Sequence, residues 1–393
     1  MNSLAPATAN SDAAAQLLHD AFNFRWNLFA FQGSHSGKFP LPPVSSLRSQ
    51  FENQFPAALY FEADHLDGLD IVLRKHRLLL PGETILRTEK PGEGNMNFVV
   101  RVITTRRSLI VKQSRPWVEK YPQIAAPVER LRAEAAYYRV TLQEPTLSAM
   151  SPALLAVDSD HLLMVTEDLG TGSDYTSIYA QGSTLSPTEM EGLFTYLAEL
   201  HHTSQDIDPA KFPLNQELKE LNHAHIFDLP FRPDTEMNLD AIQPGLNQLA
   251  LPVHHDETLR QHLQKVGEIY LGSGPVLIHG DFYPGSWLRT AEGLKVIDPE
   301  FSFFGHAEFD VAVMIAHLLM ARVPLESIRH SLASYLHHGS LDAELLVEFV
   351  GAEILRRLLG LAQLPLDLDL AEKAKLIELA RGFIHDPTSH PIY

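Results

Sequence analysis

The chain of 393 residues contains no cysteine. Disulfide bonds, thiolate metal sites and cysteine nucleophiles are therefore excluded. Basic residues are also scarce, because 31 Lys and Arg stand against 49 Asp and Glu, which gives a formal net charge of −18. An acidic chain is repelled by nucleic acid and by anionic membrane surfaces, so we expect neither as a partner.

Long apolar runs are missing as well. No stretch approaches the length of a membrane span, and the start, MNSLAPATANSDAAAQLL, has no basic segment followed by an apolar core. We therefore expect a cytoplasmic protein. The hydrophobic content of 45% is enough to fill a sizeable core, and the length allows two or three domains.

Two short β-branched runs each deliver a carboxylate at or just beyond their ends. Residues 276–278 lead into His279-Gly280-Asp281, and residues 294–297 lead into Asp298-Pro299-Glu300. Buried strands that end in carboxylates place charge at the rim of a sheet. One aspartate near a reacting hydroxyl and a second on a metal ion is the layout that phosphoryl transfer needs. We predict that Asp281 orients the acceptor hydroxyl and takes its proton late.

The second carboxylate pair is suited to a hard cation. Asp298 and Glu300 stand at i and i+2, on the same side of an extended segment. Mg²⁺ prefers oxygen ligands and is commonly held by one or two carboxylates together with nucleotide phosphates. Ser286 either adds a hydroxyl ligand or a phosphate contact, or bonds its own backbone as a turn serine. Asp310, just inside a helix start, is interpreted as a structural anchor that accepts backbone N–H groups.

A predicted β-hairpin supplies the nucleotide side. Residues 98–103 and 108–112 are strand-like, and Lys112 stands at the far end. The loop before the hairpin has four residues that tolerate a backbone turn with N–H groups facing a phosphate: Gly92, Gly94, Asn95 and Asn97. A hairpin that ends in lysine is how kinase-like folds bring an ammonium group to nucleotide phosphates.

Two further segments are candidates for the site. In the helix predicted over 127–142, Glu129 and Glu134 are both able to pair with Lys112, and we favour Glu134 because small residues around it allow close approach. The strand predicted over 161–166 runs into a hinge, in which the backbone from Glu167 to Leu169 can read an adenine edge.

The arginine pair Arg356-Arg357 stands near the end of a helix predicted over 341–362. Two interpretations remain open from the residues alone. The pair is either a solvated helix end that interacts favourably with the helix dipole, or a source of guanidinium groups that fork onto substrate oxygens.

With these residues in view, the chain resembles the 5-methylthioribose kinase family, part of the aminoglycoside phosphotransferase and choline kinase clan. The resemblance covers about residues 80–365 and is carried by these segments: GEGNMNFVVRV, SLIVKQ, TEDLG, YLAELHHTS, LNQELKELNHAHIF, LIHGDFYPGS, VIDPEFSFFG with FDVA, and EILRRLLGLAQ. The Asp-Pro-Glu triplet and the arginine pair discriminate this family from the rest of the clan.

The resemblance implies an α+β, protein-kinase-like bilobal fold, with a β-rich N-lobe that carries a regulatory-type helix and a mostly helical C-lobe. We expect an N-terminal extension over 1–57, the N-lobe over 58–168 and the C-lobe over 169–393. The family also implies ATP and Mg²⁺ as cofactors, a homodimer and a place in methionine salvage. The implied reaction phosphorylates a hydroxyl of a small sugar, 5-methylthioribose (to the 1-phosphate) or a related pentose.

Carried over residue by residue, the resemblance implies that Asp281 is the catalytic base and that Asp298 and Glu300 are Mg²⁺ ligands. It also implies that Gly92 to Asn97 cover the nucleotide phosphates, that Lys112, paired with Glu134, binds these phosphates, and that Glu167 to Leu169 bind adenine. Arg356 and Arg357 are implied to line the sugar pocket. Tyr283 and Pro284 replace a His-Thr pair that is usual in the family. Tyr283 is therefore expected in the substrate pocket, and this replacement leaves the identity of the acceptor substrate open.

Two alternative functions are considered beside a sugar kinase. The first is a kinase for a cationic alcohol such as an aminoglycoside or choline, which the acidic charge favours and the arginine pair opposes. The second is a catalytically silent nucleotide-binding regulator, which is disfavoured because Lys112, Asp281, Asp298 and Glu300 are all present.

Overall fold

The computed structural model describes residues 44–92, 96–235, 237–390 and 392. Most of the expected N-terminal extension lies outside the described residues. This part includes residues 13–31, whose apolar spacing predicts an amphipathic helix. Gly94 and Asn95 of the glycine-containing loop also lie outside the described residues. In the described ranges, no helix has the length and apolar character needed to cross a membrane.

A five-stranded antiparallel sheet forms the first lobe, with the strand order β1-β2-β3-β7-β6. Its strands are β1 (Ile85–Glu89), β2 (Phe98–Thr104), β3 (Ser108–Gln113), β6 (Leu154–Asp158) and β7 (Leu163–Glu167). A separate two-stranded pair is formed by β4 (Trp117–Val118) and β5 (Tyr121–Ala125). The predicted hairpin is confirmed, and Lys112 faces Val99 on one neighbour and Met164 on the other.

Four helices accompany this sheet: α1 (Val44–Gln54), α2 (Leu66–Lys75), α3 (Arg130–Thr141) and α4 (Pro145–Met150). The apolar spacing of residues 61–79 predicts one helix over that range, but α2 is shorter. Phe61 is buried ahead of it, and its N–H donates to the side chain of Gln113 at 3.2 Å, so the chain enters the helix later. Buried side chains of α2, including Leu69 and Val72, pack with those of the sheet.

The second lobe is mostly helical. Its helices are α5 (Pro187–Ser204), α6 (Gln216–His223), α7 (Leu246–His254), α8 (Glu257–Leu271), α9 (Ala307–Met320), α10 (Leu325–Leu336), α11 (Ala343–Leu359) and α12 (Leu370–His385). Ser186 and Glu189 form a reciprocal capping box at the start of α5, as their spacing predicts. A sheet-rich first lobe followed by a helical second lobe confirms the α+β fold class, while a division at residues 168 and 169 stays a prediction.

Short strands in the second lobe position the two aspartates. They are β8 (Ser173–Asp174), β9 (Val276–Ile278), β10 (Trp287–Thr290), β11 (Gly293–Val296) and β12 (Phe303–Gly305). Strand β9 pairs with β12, and β10 pairs with β8 and β11. The side chains of β9 belong to the large core of this lobe, together with Val296 and Phe303. Asp281 and Asp298 therefore follow strands that are anchored in one core.

Candidate active site

The turn that carries Asp281 has a tightly specified backbone. Gly280 has a φ of +82°, and a Cβ at this position would lie 2.3 Å from the carbonyl oxygen of Phe301, so only glycine fits. Asp310 on α9 is fully buried and accepts the N–H groups of His279 at 2.6 Å and Gly280 at 2.9 Å. The interpretation of Asp310 as an anchor is confirmed, and Asp281 projects from a fixed backbone.

Replacing Asp310 with asparagine is expected to destabilise the protein by about 1–3 kcal/mol, because an amide nitrogen cannot accept and one buried N–H loses its partner. The turnover rate should fall as well, since the turn that holds Asp281 loosens. Chemical denaturation and steady-state kinetics measure the two effects. Asp342→Asn is the matched control: Asp342 also accepts two N–H groups, at the start of α11, where asparagine caps equally well. Equal stability of both variants would contradict the prediction.

Lys112 bridges the two lobes. Its ammonium group lies 2.6 Å from the buried carboxylate of Glu134 on α3 and also contacts the carboxylate of Asp298 in the helical lobe. Glu129, the alternative partner, is exposed and pairs with Arg132 instead. Burial by itself would lower the pKa of Lys112, but Asp298 and Glu134 together raise it well above its ordinary value. Lys112 is therefore a charged donor at the junction of the lobes.

The structure also brings the two predicted metal ligands to this junction. Asp298 has a φ of +63°, a conformation that aspartate tolerates better than most residues, and its side chain is 43% exposed. Glu300 is buried, and its Oε2 accepts a hydrogen bond from Asn97 at 2.9 Å. Burial raises the pKa of Glu300 to about 7, against the opposing effect of Arg130 and Lys112.

These residues fit a Mg²⁺ ion by the chemistry of their free oxygens. Among the described residues, Oδ2 of Asp298 and Oε1 of Glu300 have no hydrogen-bond partner, since Lys112 and Asn97 contact the other oxygen of each carboxylate. Two carboxylate oxygens are ligands of the kind that a hard divalent cation prefers. No cluster of three or more His, Asp or Glu side chains suited to a metal ion occurs in the described ranges, so nucleotide phosphates would have to supply further ligands.

Arg130 is a site residue that the sequence reasoning missed. It is fully buried at the start of α3, lies 3.3 Å from Glu300, and donates to Asn97 Oδ1 at 3.0 Å and to the carbonyl oxygen of Met96 at 3.1 Å. It therefore connects the loop before β2 with a predicted metal ligand. The available signal was its position one helical turn before Glu134, on the same face.

The contacts of Ser286 and of the glycine-containing loop do not test their predicted roles in phosphate binding. The buried hydroxyl of Ser286 donates to the carbonyl oxygen of Asp281 at 3.0 Å, as a turn serine does. Gly92 and Asn97 stand on either side of the undescribed part of their loop, and the side chain of Asn97 is engaged with Glu300. A phosphate contact for Ser286 and for this loop remains a prediction.

The predicted hinge follows β7. Glu167 is exposed at its end and accepts the N–H of Ala153 at 3.2 Å. Asp168 forms a two-pronged ion pair with Arg101, at 2.7 and 3.0 Å, which ties the hinge to the sheet and was not predicted. In the described part of the chain, the main-chain N–H and C=O of Leu169 form no hydrogen bond. These two groups are available to a ligand edge.

The arginine pair lies beside Asp281 and not at a solvated helix end. Both guanidinium groups are buried; Nη2 of Arg357 is 3.0 Å from Oδ1 of Asp281, and Nη2 of Arg356 is 3.9 Å from the same oxygen. The ring of Tyr283 packs against the Arg357 guanidinium at 4.9 Å. The structure therefore brings together all three predicted acceptor-pocket residues and the predicted base. Glu353, which pairs with both arginines, was missed, although its i+3 and i+4 spacing to them signals a shared helix face.

Most of the chain is similar in sequence to known phosphotransferases. Residues 88–371 match the phosphotransferase enzyme family. The methylthioribose kinase of Exiguobacterium sibiricum is 31% identical over 266 residues, an alignment that covers 65% of this chain and 66% of that protein, just under two thirds of its length. The methylthioribose kinase of Geobacillus sp. strain WCH70 is 26% identical over 353 residues, which cover 77% of this chain and 85% of that protein.

Among solved structures, an aminoglycoside phosphotransferase from Alicyclobacillus acidocaldarius is 12% identical, with a TM-score of 0.49 over 78% of this chain and 92% of that chain. The family match spans most of the chain, and it includes Lys112, Asp281, Asp298 and the arginine pair. The chain belongs to the phosphotransferase enzyme family.

Proposed function

We propose that this phosphotransferase is an ATP- and Mg²⁺-dependent kinase that phosphorylates a hydroxyl of a small sugar. The leading acceptor is 5-methylthioribose, with the 1-phosphate as product, and a related pentose is the second choice. The observation that carries the proposal is the contact between Arg357 and Asp281, because a base set against guanidinium groups suits a neutral polyol and repels a cation. The names of the two relatives described above support the same acceptor.

Each part of the site has a role in this proposal. Asp281 orients the acceptor hydroxyl and receives its proton as the acceptor oxygen bonds to the γ-phosphorus, while the bond from that phosphorus to the β–γ bridging oxygen breaks and ADP leaves. Lys112 donates to phosphate oxygens, while the main chain of Leu169 meets the adenine edge. Asp298 and Glu300 would hold Mg²⁺, which when bound neutralises charge on the phosphates.

A kinase for a cationic alcohol is the second candidate, favoured by the net charge of −18. It is opposed by the buried guanidinium groups beside Asp281, which a cationic acceptor would have to approach. A catalytically silent regulator is opposed by the intact set of partners around Lys112 and Asp281.

An ADP-release assay tests the proposal with 5-methylthioribose, ribose, choline and an aminoglycoside as acceptors, each with Mg²⁺ and ATP. We expect turnover on 5-methylthioribose or a related pentose. Turnover only on the cationic acceptors would favour the second candidate, and no turnover above background on any sugar would refute the first.

Replacing Arg356 with alanine is expected to raise KM for the sugar about 10- to 100-fold and to leave KM for ATP unchanged, because a charged hydrogen bond to the acceptor is lost. The Nε of Arg356 is buried without a partner among the described residues, so this guanidinium has donors left for a ligand. Arg132→Ala, on the exposed face of α3, is the control. An unchanged KM for the sugar in the Arg356 variant would favour a cationic acceptor instead.

A homodimer and a place in methionine salvage rest on the resemblance, while a cytoplasmic location and the division of the chain at residues 57 and 168 are expectations from the sequence; all four are part of the proposal. Sedimentation equilibrium of the full chain tests the dimer directly.

A further inference from the structure

Glu353 is a buried carboxylate that the proposed mechanism does not use. It lies on α11, one turn before the arginine pair, and only 1% of its side chain is exposed. Its Oε1 accepts from Nε of Arg357 at 2.6 Å, and its Oε2 accepts from Nη1 of Arg356 at 3.1 Å. One carboxylate therefore sets the orientation of both guanidinium groups.

His317 on α9 holds the other side of this carboxylate. Its Nε2 is 3.0 Å from Oε1 of Glu353, and its Nδ1 is 2.6 Å from the hydroxyl of Tyr179. A neutral imidazole has one donor and one acceptor, while a carboxylate only accepts. His317 therefore donates to Glu353 and accepts from Tyr179. Burial lowers the pKa of His317 to about 4, which agrees with a neutral ring.

The two arginines differ in which of their N–H donors lack a hydrogen-bond partner among the described residues. Arg357 is engaged on both sides, by Glu353 at Nε and by Asp281 at Nη2, and its plane packs on Tyr283. Arg356 bonds Glu353 through Nη1, whereas its Nε has no partner in the described residues. The two cations are balanced by the carboxylates of Glu353 and Asp281, so this group of four charges is neutral overall.

We propose that Glu353, held in place by His317, is a positioning residue that gives the two arginines different orientations and therefore different roles. It turns Arg357 toward Asp281, so that the base keeps one orientation, and it turns the remaining donors of Arg356 toward the acceptor. The proposal rests on the proposed function, since it assumes that Asp281 is the base and that the acceptor lies beside the arginines. In this proposal Glu353 acts only through the two arginines, which its carboxylate binds.

The Glu353→Gln variant tests the proposal in the full-length protein. Glutamine keeps the volume, but it presents one oxygen and one N–H₂ group where two guanidinium groups need acceptors. We expect kcat to fall and KM for the sugar to rise, each about 10- to 100-fold, which is the range for a lost charge-assisted hydrogen bond. KM for ATP and the nucleotide-induced rise in Tm should not change. A merely structural role would move the acceptor and nucleotide parameters together.

Glu348→Gln is the matched control, because Glu348 is half-buried on the same helix and lies outside the charge group. Hydrogen exchange of the Arg357 Nε–H, followed by ¹H–¹⁵N NMR, reports the orientation without any substrate. Exchange should be slow in the parent and in Glu348→Gln, and fast in Glu353→Gln. Unchanged exchange, or an unchanged KM for the sugar, would overturn the proposal.

Tyr179→Phe provides a second variant in case Glu353→Gln fails to fold. It removes only the hydroxyl that fixes His317 and should raise KM for the sugar about 2- to 10-fold, with KM for ATP unchanged. An unchanged KM in this variant would contradict the bracing role. If the parent enzyme phosphorylates no sugar, the proposed function fails, and the exchange measurement alone decides the positioning role.

Discussion

Replacing Asp281 with asparagine is expected to lower kcat by about 10²- to 10⁴-fold, the usual contribution of a positioned general base. The amide oxygen of asparagine can still accept from Arg357, which now bonds Asp281 at 3.0 Å, so the geometry of the pocket should persist. The amide cannot take the proton of the acceptor hydroxyl. Steady-state kinetics with saturating ATP and sugar measures the effect.

Nucleotide binding separates this loss from misfolding. The rise in Tm caused by Mg²⁺ and ATP should be the same in Asp281→Asn as in the parent, because a ligand stabilises any protein that keeps its native site. Asp206→Asn, at an exposed position in the same lobe, is the control for the substitution itself. Normal turnover by the Asp281 variant would show that the base has been misassigned.

Replacing Lys112 with methionine is expected to reduce both stability and activity. Glu134 would be left as a buried carboxylate without its cation, and breaking a buried ion pair from one side costs about 3–5 kcal/mol. Loss of the ammonium group should also lower kcat/KM for ATP by about 10- to 100-fold, because a charged donor to the phosphates disappears. Urea denaturation and kinetics measure the two effects.

A double variant tells the two effects apart. In Lys112→Met with Glu134→Gln, the unpaired charge is gone, so most of the stability should return while the activity stays low. Recovery of activity along with stability would mean that Lys112 only supports the fold. No recovery of stability would mean that the cost lies in packing and not in the unpaired charge.

The local features of this fold could be predicted because each depends on residues that are close together in the sequence. The capping box of Ser186 and Glu189, the hairpin that ends at Lys112 and the anchoring role of Asp310 each follow from a short pattern, and the structure contains all three. The predicted pairing of Lys112 with Glu134, and not with Glu129, is also confirmed.

The contacts that assemble the site could not be predicted in the same way. Arg130 reaches Asn97 across 33 positions of sequence, and Asn97 reaches Glu300 across 203. The first contact lies within one lobe and the second joins the two lobes, and both depend on tertiary packing, which no local pattern records. The arginine pair shows the same limit, since its burial decides between a helix end and a pocket, and burial comes from tertiary structure.

We propose that the base and the arginine pair together select a neutral sugar for phosphorylation. The most direct test compares kcat/KM for 5-methylthioribose with kcat/KM for choline and for an aminoglycoside, in one preparation with Mg²⁺ and ATP, with the Asp281→Asn variant as the blank. We predict that kcat/KM for 5-methylthioribose or a related pentose is at least 100-fold higher than kcat/KM for either cationic acceptor. We also predict that the Asp281→Asn variant shows no turnover above background. A higher value for either cation, or full activity in the blank, would contradict the claim.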